Sequence, residues 1–190
     1  GQAGFRQWRF QPVQHLQQPP AVTPTRWRRW LVELILFAAL LVAFQAWQLR
    51  ATPSAGVAPD FNGTQIDGSA FDLADYRTTH PGQPVLLYFW ADWCPVCRTT
   101  AGSVSSIAAD WPVMTLATQS GDAATVRRFM QEKGYQWPTL ADADGQIMQR
   151  YRLPGTPAFV VIAPDGNIRF VSVGYTTEIG LRLRLWWAGR

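Results

Sequence analysis

The two cysteines of this chain, Cys94 and Cys97, have two residues between them and stand between two strong structural signals. The apolar and aromatic run of residues 85–90 before them is typical of a buried strand. Residues 98–109 after them are predicted to form a helix, with Pro95 compatible with its first turn. A strand that delivers a C-x-x-C pair to a helix N-terminus predicts a thiol–disulfide exchange site, because the helix dipole and free backbone N–H groups favour a thiolate.

Besides redox chemistry, the cysteine pair has three alternative roles. A purely structural disulfide closing so short a loop would contribute roughly 2 kcal/mol. A structural zinc site needs about four ligands, and the remaining candidates are His15 and His80, which both precede the pair. Two buried free cysteines are the third alternative. We favour redox chemistry, with Cys94 and Cys97 as catalytic residues, and expect no metal and no cofactor at the site.

An apolar segment near the N-terminus predicts one transmembrane helix. Trp30 to Leu49 is apolar apart from Glu33 and two glutamines, and twenty helical residues rise about 30 Å, which matches a bilayer core. Aromatic residues stand at both ends, as in interfacial belts. Glu33 lies near the boundary, where a charge is tolerated. A cleaved signal peptide is the alternative, but the run exceeds the usual 7–15 apolar residues, so we expect an uncleaved anchor.

Charge separates the anchor region from the rest of the chain. Residues 1–50 hold six arginines and one glutamate, whereas residues 51–190 hold 11 basic and 12 acidic residues. This distribution gives no basis for nucleic-acid binding by the folded part. Arg26, Arg28 and Arg29 precede the apolar run and Arg50 alone follows it closely, so the positive-inside rule predicts a cytoplasmic N-terminus and a periplasmic cysteine domain. That compartment permits disulfide chemistry.

These signals predict four regions. Residues 1–25, rich in Gln and Pro, are predicted to be a disordered cytoplasmic tail, residues 26–50 the transmembrane anchor, residues 51–59 a linker, and residues 60–190 the folded domain. Within the domain we predict a hairpin turning at Asp67-Gly68, a polar loop, and then helices and strands in alternation with a short central insertion. The remaining predicted elements are strands at 85–89, 113–117, 158–162 and 168–173, helices at 122–133 and after Thr176, an extended segment at 137–140, and a short helix ending near Tyr151.

The stretch Phe89-Trp90-Ala91-Asp92-Trp93-Cys94-Pro95-Val96-Cys97, followed downstream by Gly155-Thr156-Pro157, resembles the thioredoxin superfamily. The element order implies an α/β thioredoxin fold with an N-terminal β-hairpin. The resemblance spans about residues 58 to 188 and is greatest to the membrane-tethered extracytoplasmic TlpA and ResA branch. Cys-Pro-Val-Cys followed by Arg98-Thr99-Thr100 is similar to the suppressor-of-copper-sensitivity D type.

The resemblance also implies roles for individual residues. Pro157 matches a cis-proline beside the disulfide, which leaves the Thr156 backbone free to pair with an extended substrate. Trp93, Pro95, Val96, Thr156 and Pro157 are the implied substrate-binding residues. Two positions depart from relatives, because Tyr88 stands where thioredoxin has a buried acid and Thr100 where cytochrome-maturation members usually carry a glutamate. Asp92, at the edge of the motif, is interpreted as a solvated residue rather than a proton shuttle.

The hypothesis from the sequence is a membrane-tethered reductase of protein disulfides in the bacterial inner membrane, recharged by a membrane electron donor of the DsbD type. An oxidase or isomerase is one alternative, since related folds span about −270 mV to about −120 mV. A tethered copper-binding protein is another. No histidine follows Cys97, and Met114, Met130 and Met148 are interpreted as core residues. Copper tolerance is implied only by the resemblance.

Overall fold

The structure, a computed structural model, describes residues 24–50 and 56–190, with side chains in the first range limited to residues 27–40. The described residues up to Phe44 and those from Gln45 onward belong to two separate compact units. Helix α1 spans Pro24–Arg50. Of the helices in the described residues, none has both the length and the apolar character needed to cross a membrane. The predicted anchor is therefore not confirmed. Residues 1–23 of the predicted tail and 51–55 of the predicted linker lie outside the described residues, whereas residues 24 and 25 belong to α1.

The cysteine-containing unit is built on a six-stranded sheet in the order β1-β8-β7-β4-β5-β6. β4, β5 and β6 run parallel, whereas β7, β8 and β1 add antiparallel pairs. A separate two-stranded sheet pairs β2 with β3. The strands are β1 Gly56–Val57, β2 Asn62–Thr64, β3 Ala70–Asp72, β4 Val85–Trp90, β5 Val113–Thr118, β6 Thr139–Asp142, β7 Ala158–Ile162 and β8 Asn167–Val173, and the helices are α2 Leu73–Thr78, α3 Pro95–Ala108, α4 Ala123–Lys133, α5 Gln146–Arg150 and α6 Glu178–Ala188.

Strand β4 is buried along its whole length because both faces of the sheet are covered. Its alternate residues Leu86, Tyr88 and Trp90 join a core with α3, α4 and α6. The intervening residues pack on the opposite face, in a core that includes Leu73 of α2 and Tyr151. Burial on both sides explains why β4 reads as a continuous apolar run rather than an alternating one.

The predicted α/β thioredoxin-like architecture is confirmed, including the hairpin, the alternating elements and the helix after Thr176. Three details differ. Gly56-Val57, assigned to the linker, is a strand that pairs with β8. The predicted polar loop before β4 contains α2, whose first turn is capped by the carboxylate of Asp72. Helix α3 begins at Pro95 rather than Arg98, so the second cysteine lies inside the helix.

Of the methionines interpreted as core residues, Met114 and Met130 are buried, and Met148 packs partly buried against the second core.

Candidate active site

The cysteine pair lies where β4 passes into α3. Four residues, 91–94, separate the strand from the helix, and the backbone N–H of Cys94 donates to the carbonyl of Ala91 at 3.2 Å. Cys94 and Cys97 form a disulfide with their Cα atoms 5.3 Å apart. Each cysteine is 3% exposed, whereas Pro95 and Val96 between them are exposed. The buried disulfide is therefore flanked by a small exposed surface of its own loop.

Cys94 is the N-cap of helix α3. It has extended backbone angles, and its Sγ accepts a hydrogen bond from the backbone N–H of Cys97 at 3.1 Å. Pro95 takes the first helical position, where its missing N–H removes no hydrogen bond. The helix N-terminus carries partial positive charge. Because an N–H group and the helix dipole both point at this sulfur, the geometry stabilises negative charge on Cys94 once the disulfide is reduced.

The Thr156-Pro157 segment lies beside the first sulfur, at the position that the resemblance implied. The Thr156-Pro157 peptide bond is cis, and the carbonyl oxygen of Thr156 lies 3.7 Å from Sγ of Cys94. The Thr156 hydroxyl is buried without a hydrogen-bond partner. On the far side, the carbonyl of Pro157 accepts from the N–H of Gly174 at 2.7 Å. The segment is thus fixed between the disulfide and the end of β8.

Trp93 is exposed, yet its indole is fixed in place. Its Nε1 donates to the carbonyl of Gln119 at 3.1 Å, and its backbone N–H donates to the carboxylate of Asp92 at 2.8 Å. Gln119 adopts a φ of 50°, in the left-handed region that is uncommon for residues other than glycine. The Gln119 N–H donates to the carbonyl of Asp142 at 2.9 Å, and this hydrogen bond stabilises the left-handed backbone conformation. This loop presents a rigid aromatic surface beside the disulfide.

The loop after β5 contributes residues that the sequence analysis missed. Besides Gln119, this loop contains Ser120, whose hydroxyl accepts from the Asp92 N–H at 3.1 Å. From helix α3, Arg98 donates to the Asp92 carbonyl at 3.1 Å. A signal was available, because β4 and β5 are parallel neighbours and the carboxyl ends of parallel strands meet at one sheet edge. The carboxylate of Asp92 caps the Trp93 N–H.

Behind Cys97 lies a buried pair of hydroxyl groups. The hydroxyl of Tyr88 is 3.0 Å from Oγ1 of Thr100, and the carbonyl oxygen of Cys97 lies 3.2 Å from the Tyr88 hydroxyl and 3.0 Å from Oγ1 of Thr100, so two hydroxyl protons are shared among three contacts. The Tyr88 ring stacks on Phe159 with centroids 4.9 Å apart. Burial raises the pKa of Tyr88 well above its ordinary value, against the opposing effect of the Thr100 hydrogen bond. Tyr88 therefore stays protonated and neutral in the folded protein.

Within the described ranges, no group of three or more His, Cys, Asp or Glu side chains is placed to hold a metal ion. The polar groups nearest the second cysteine are neutral hydroxyls. What the arrangement offers chemically is two sulfurs that can exchange two electrons, a helix terminus that stabilises charge on one of them, and the neighbouring Thr156-Pro157 segment, in which Thr156 is half-buried and Pro157 buried.

Comparison with known proteins agrees with this geometry. A model of the AhpC/TSA family matches residues 55–171. The soluble secreted antigen MPT53 of Mycobacterium tuberculosis is 34% identical over 143 residues, covering 72% of this chain and 80% of that protein. The thiol-disulfide oxidoreductase ResA of Geobacillus thermodenitrificans is 26% identical over 164 residues, covering 83% and 92%.

A solved structure adds to these relatives. The crystal structure of a secreted Mycobacterium tuberculosis disulfide oxidoreductase homologous to E. coli DsbE is 31% identical, with a TM-score of 0.54, and the match covers 67% of this chain and 95% of that one. Fold, disulfide and relatives together define a thioredoxin-like thiol–disulfide oxidoreductase. Within that class, the chain belongs to the AhpC/TSA family.

Proposed function

We propose that this chain is a membrane-tethered, periplasmic reductase of protein disulfides, with Cys94 as nucleophile and Cys97 as resolving residue. The observation that carries the proposal is the position of Cys94, whose Sγ caps helix α3 and accepts the Cys97 N–H at 3.1 Å. That environment favours the thiolate on Cys94. Cys97 lies within the first helical turn, close enough to attack Cys94 Sγ in a mixed disulfide.

Disulfide exchange proceeds through one mixed-disulfide intermediate. In the reduced protein, the Cys94 thiolate attacks one sulfur of a substrate disulfide, forming a mixed disulfide and releasing the other substrate sulfur as a thiolate that takes up a proton. Cys97 then loses its proton and attacks Cys94 Sγ, which releases the second substrate sulfur. The substrate gains two electrons and two protons, and the protein is left with the Cys94–Cys97 disulfide.

The docking surface consists of Trp93, Pro95, Val96 and the Thr156-Pro157 segment. The exposed indole of Trp93 and the exposed Val96 side chain supply apolar contact. The Thr156 backbone, 3.7 Å from the Cys94 sulfur, pairs with an extended substrate segment and brings the substrate disulfide in line with Cys94. Such strand-like pairing gives affinity without fixing the sequence of the substrate.

The membrane anchor, the electron donor and the family branch in this proposal are inferred from the sequence. Residues 1–25 are a cytoplasmic tail, 26–50 an anchor in the inner membrane, and 51–55 a linker to the periplasmic domain, which begins with β1 at Gly56. A membrane electron donor of the DsbD type returns two electrons to the disulfide after each turnover. The suppressor-of-copper-sensitivity D branch, and with it a role in copper tolerance, rests on the Cys-Pro-Val-Cys motif and its resemblance.

Substitution of each cysteine tests the roles. Cys94→Ser abolishes exchange with a protein disulfide, because no nucleophile remains. Cys97→Ser leaves the first attack intact but removes resolution, so mixed disulfides accumulate and are seen as reducible adducts on non-reducing gels. Turnover by the Cys94→Ser protein at the wild-type rate would refute the assignment.

The reduction potential tests the direction of electron flow. The full chain in detergent is equilibrated with thiol buffers, and the reduced fraction is measured by thiol alkylation. We expect a value near that of thioredoxin, about −270 mV, rather than near that of the oxidant DsbA, about −120 mV. A value near the second would make the protein an oxidant and overturn the proposed direction while leaving the cysteine roles intact.

A further inference from the structure

Helix α6 carries an apolar surface that no other part of the described chain covers. Ile179, Leu183, Trp186 and Trp187 are spaced at i, i+4, i+7 and i+8, so they share one side of the helix. Ile179 is 73% exposed and Trp187 is 69% exposed. The opposite side, with Leu181 and Leu185, is buried against α3 and β7. The four exposed residues are called here the outer face of α6. Contiguous exposed apolar surface of this kind marks an interaction site.

Arginines outnumber carboxylates beside the outer face. Arg182 pairs with two carboxylates, Glu178 at 2.8 Å and Asp110 at 2.7 Å, which leaves this cluster with one net negative charge. Arg184 and Arg190 have no acidic partner among the described residues. The guanidinium of Arg190 lies 3.7 Å from the ring centroid of Trp186. Tryptophan next to arginine is the composition of surfaces that insert at the headgroup level of anionic bilayers.

Strand register places the end of α6 beside the point where the chain enters the domain. Gly56 pairs with Ile168, Ile168 with Ile162, and Ile162 with Val85 across the sheet. Pro84, just before Val85, contacts the chain after α6, since a Cβ added to Gly189 would lie 3.3 Å from its Cδ. The C-terminal end of the outer face and the start of β1 therefore lie at the same end of the sheet.

The disulfide lies at the other end. It follows Trp90, the last residue of β4, whereas Val85 begins that strand. A strand of six residues is about 20 Å long. A surface that binds the Trp186 end of α6 therefore leaves the disulfide pointing away from it.

The chain between the proposed anchor and strand β1 is short. Helix α1 ends at Arg50 and β1 begins at Gly56, and six residue steps span at most about 20 Å. A tether so short holds a bilayer surface at high effective concentration near Gly56.

We propose that the outer face of α6 docks on the anionic surface of the bilayer to which the chain is tethered, and that this docking directs the disulfide into the periplasm. The inference rests on the proposed membrane tether. Trp186 and Trp187 enter the headgroup region, while Arg190 contacts a lipid phosphate. The domain is then held in one orientation instead of turning freely on its linker.

The test uses the full chain in vesicles of equimolar phosphatidylcholine and phosphatidylglycerol, with and without bromine on the acyl chains, since bromine quenches tryptophan that enters the bilayer. The emission assigned to the outer face is the difference between the wild type and a Trp186→Phe/Trp187→Phe variant. We expect most of this difference to be lost in brominated vesicles, and less of it to be lost when phosphatidylglycerol is replaced by phosphatidylcholine. Trp93→Phe is the matched control, because its exposed indole lies at the opposite end of the sheet and its emission should not be quenched.

Flotation of the same vesicles separates the two proposals. Protein that floats but shows no quenching of the Trp186 and Trp187 emission keeps the tether and overturns the docking. Shielding of that emission from aqueous iodide, without quenching by bromine, would identify a second copy or another protein on the face and would also overturn it. Protein that does not float refutes both. Circular dichroism and exchange with a soluble disulfide in detergent should be unchanged in the Trp186→Phe/Trp187→Phe variant.

Discussion

Replacing Tyr88 by phenylalanine removes one buried hydroxyl from behind the disulfide, and the structure gives the size of the effect. The hydroxyl lies 3.0 Å from Oγ1 of Thr100 and 3.2 Å from the carbonyl of Cys97. Thr100 keeps its own hydrogen bond to that carbonyl at 3.0 Å, so no buried donor is left unsatisfied. Tyr88→Phe should therefore cost the net contribution of one hydrogen bond, about 1 kcal/mol of unfolding free energy at neutral pH.

The cost should change sign in alkali. Burial raises the pKa of Tyr88 well above its ordinary value, whereas a tyrosine in the unfolded chain ionises near about pH 10. The unfolded state loses this proton first, so the stabilisation is complete below that pH and declines above it. By about pH 11 the wild type has lost about 1.4 kcal/mol through this one group. Phenylalanine has no such loss, and the two stability curves should cross at about pH 10.7.

Urea unfolding of the oxidised protein from about pH 7 to about pH 11, followed by circular dichroism, measures this difference. Thr100→Val is the matched control, because it removes the other hydroxyl of the pair but no titrating group. Its cost should stay constant where that of Tyr88→Phe reverses. A difference between wild type and Tyr88→Phe that is independent of pH would refute the reasoning, since it would mean that Tyr88 ionises equally in both states.

Two further substitutions test the surroundings of the site. Asp142→Asn should cost about 1–3 kcal/mol in urea unfolding, because the buried carboxylate accepts from the N–H groups of Ile147 at 3.0 Å and Met148 at 3.1 Å, and an amide nitrogen cannot accept. An unchanged unfolding midpoint would contradict a stabilising role for these two hydrogen bonds. Trp93→Phe loses the hydrogen bond to Gln119 and should lower kcat/KM for a protein disulfide about fivefold, the equivalent of about 1 kcal/mol. Oxidised glutathione, which makes little use of the docking surface, should react at the wild-type rate, and Trp187→Phe should change neither. Equal losses with both substrates would place the effect in the chemistry instead of docking.

The sequence predicted the elements whose signals are local. The continuous apolar runs of β4, β5 and β7 reflect burial on both faces of the sheet, and the cysteine spacing with Pro95 marks a helix start. Gly56-Val57 could not be recognised, because two residues carry no periodicity and become a strand only by pairing with β8. Helix α2, with six residues, is too short for an apolar stripe.

The candidate site likewise contains residues that the sequence predicts and residues that it does not. Cys94 and Cys97 follow from their spacing, and the neighbouring Thr156-Pro157 segment followed from resemblance, since 58 residues lie between Cys97 and Thr156. Gln119 carries no chemical signal of its own, because it acts through a backbone carbonyl and a left-handed φ. Its role depends on the parallel pairing of β4 with β5, a tertiary feature that residue types do not encode.

Tyr88 and Thr100 show what the fold adds to a comparison of sequences. In the sequence they were two separate departures from positions where relatives carry acids. In the structure they are partners, since each hydroxyl lies within hydrogen-bond distance of the other and of the same Cys97 carbonyl. A carboxylate introduced at one position alone would be buried with one hydroxyl donor, which does not compensate for desolvation of a charge. A carboxylate at either position should therefore destabilise the folded state. The neutral pair sets the surroundings of Cys97: any proton that this sulfur exchanges at neutral pH passes to solvent, Cys94 or substrate, because Tyr88 does not ionise there.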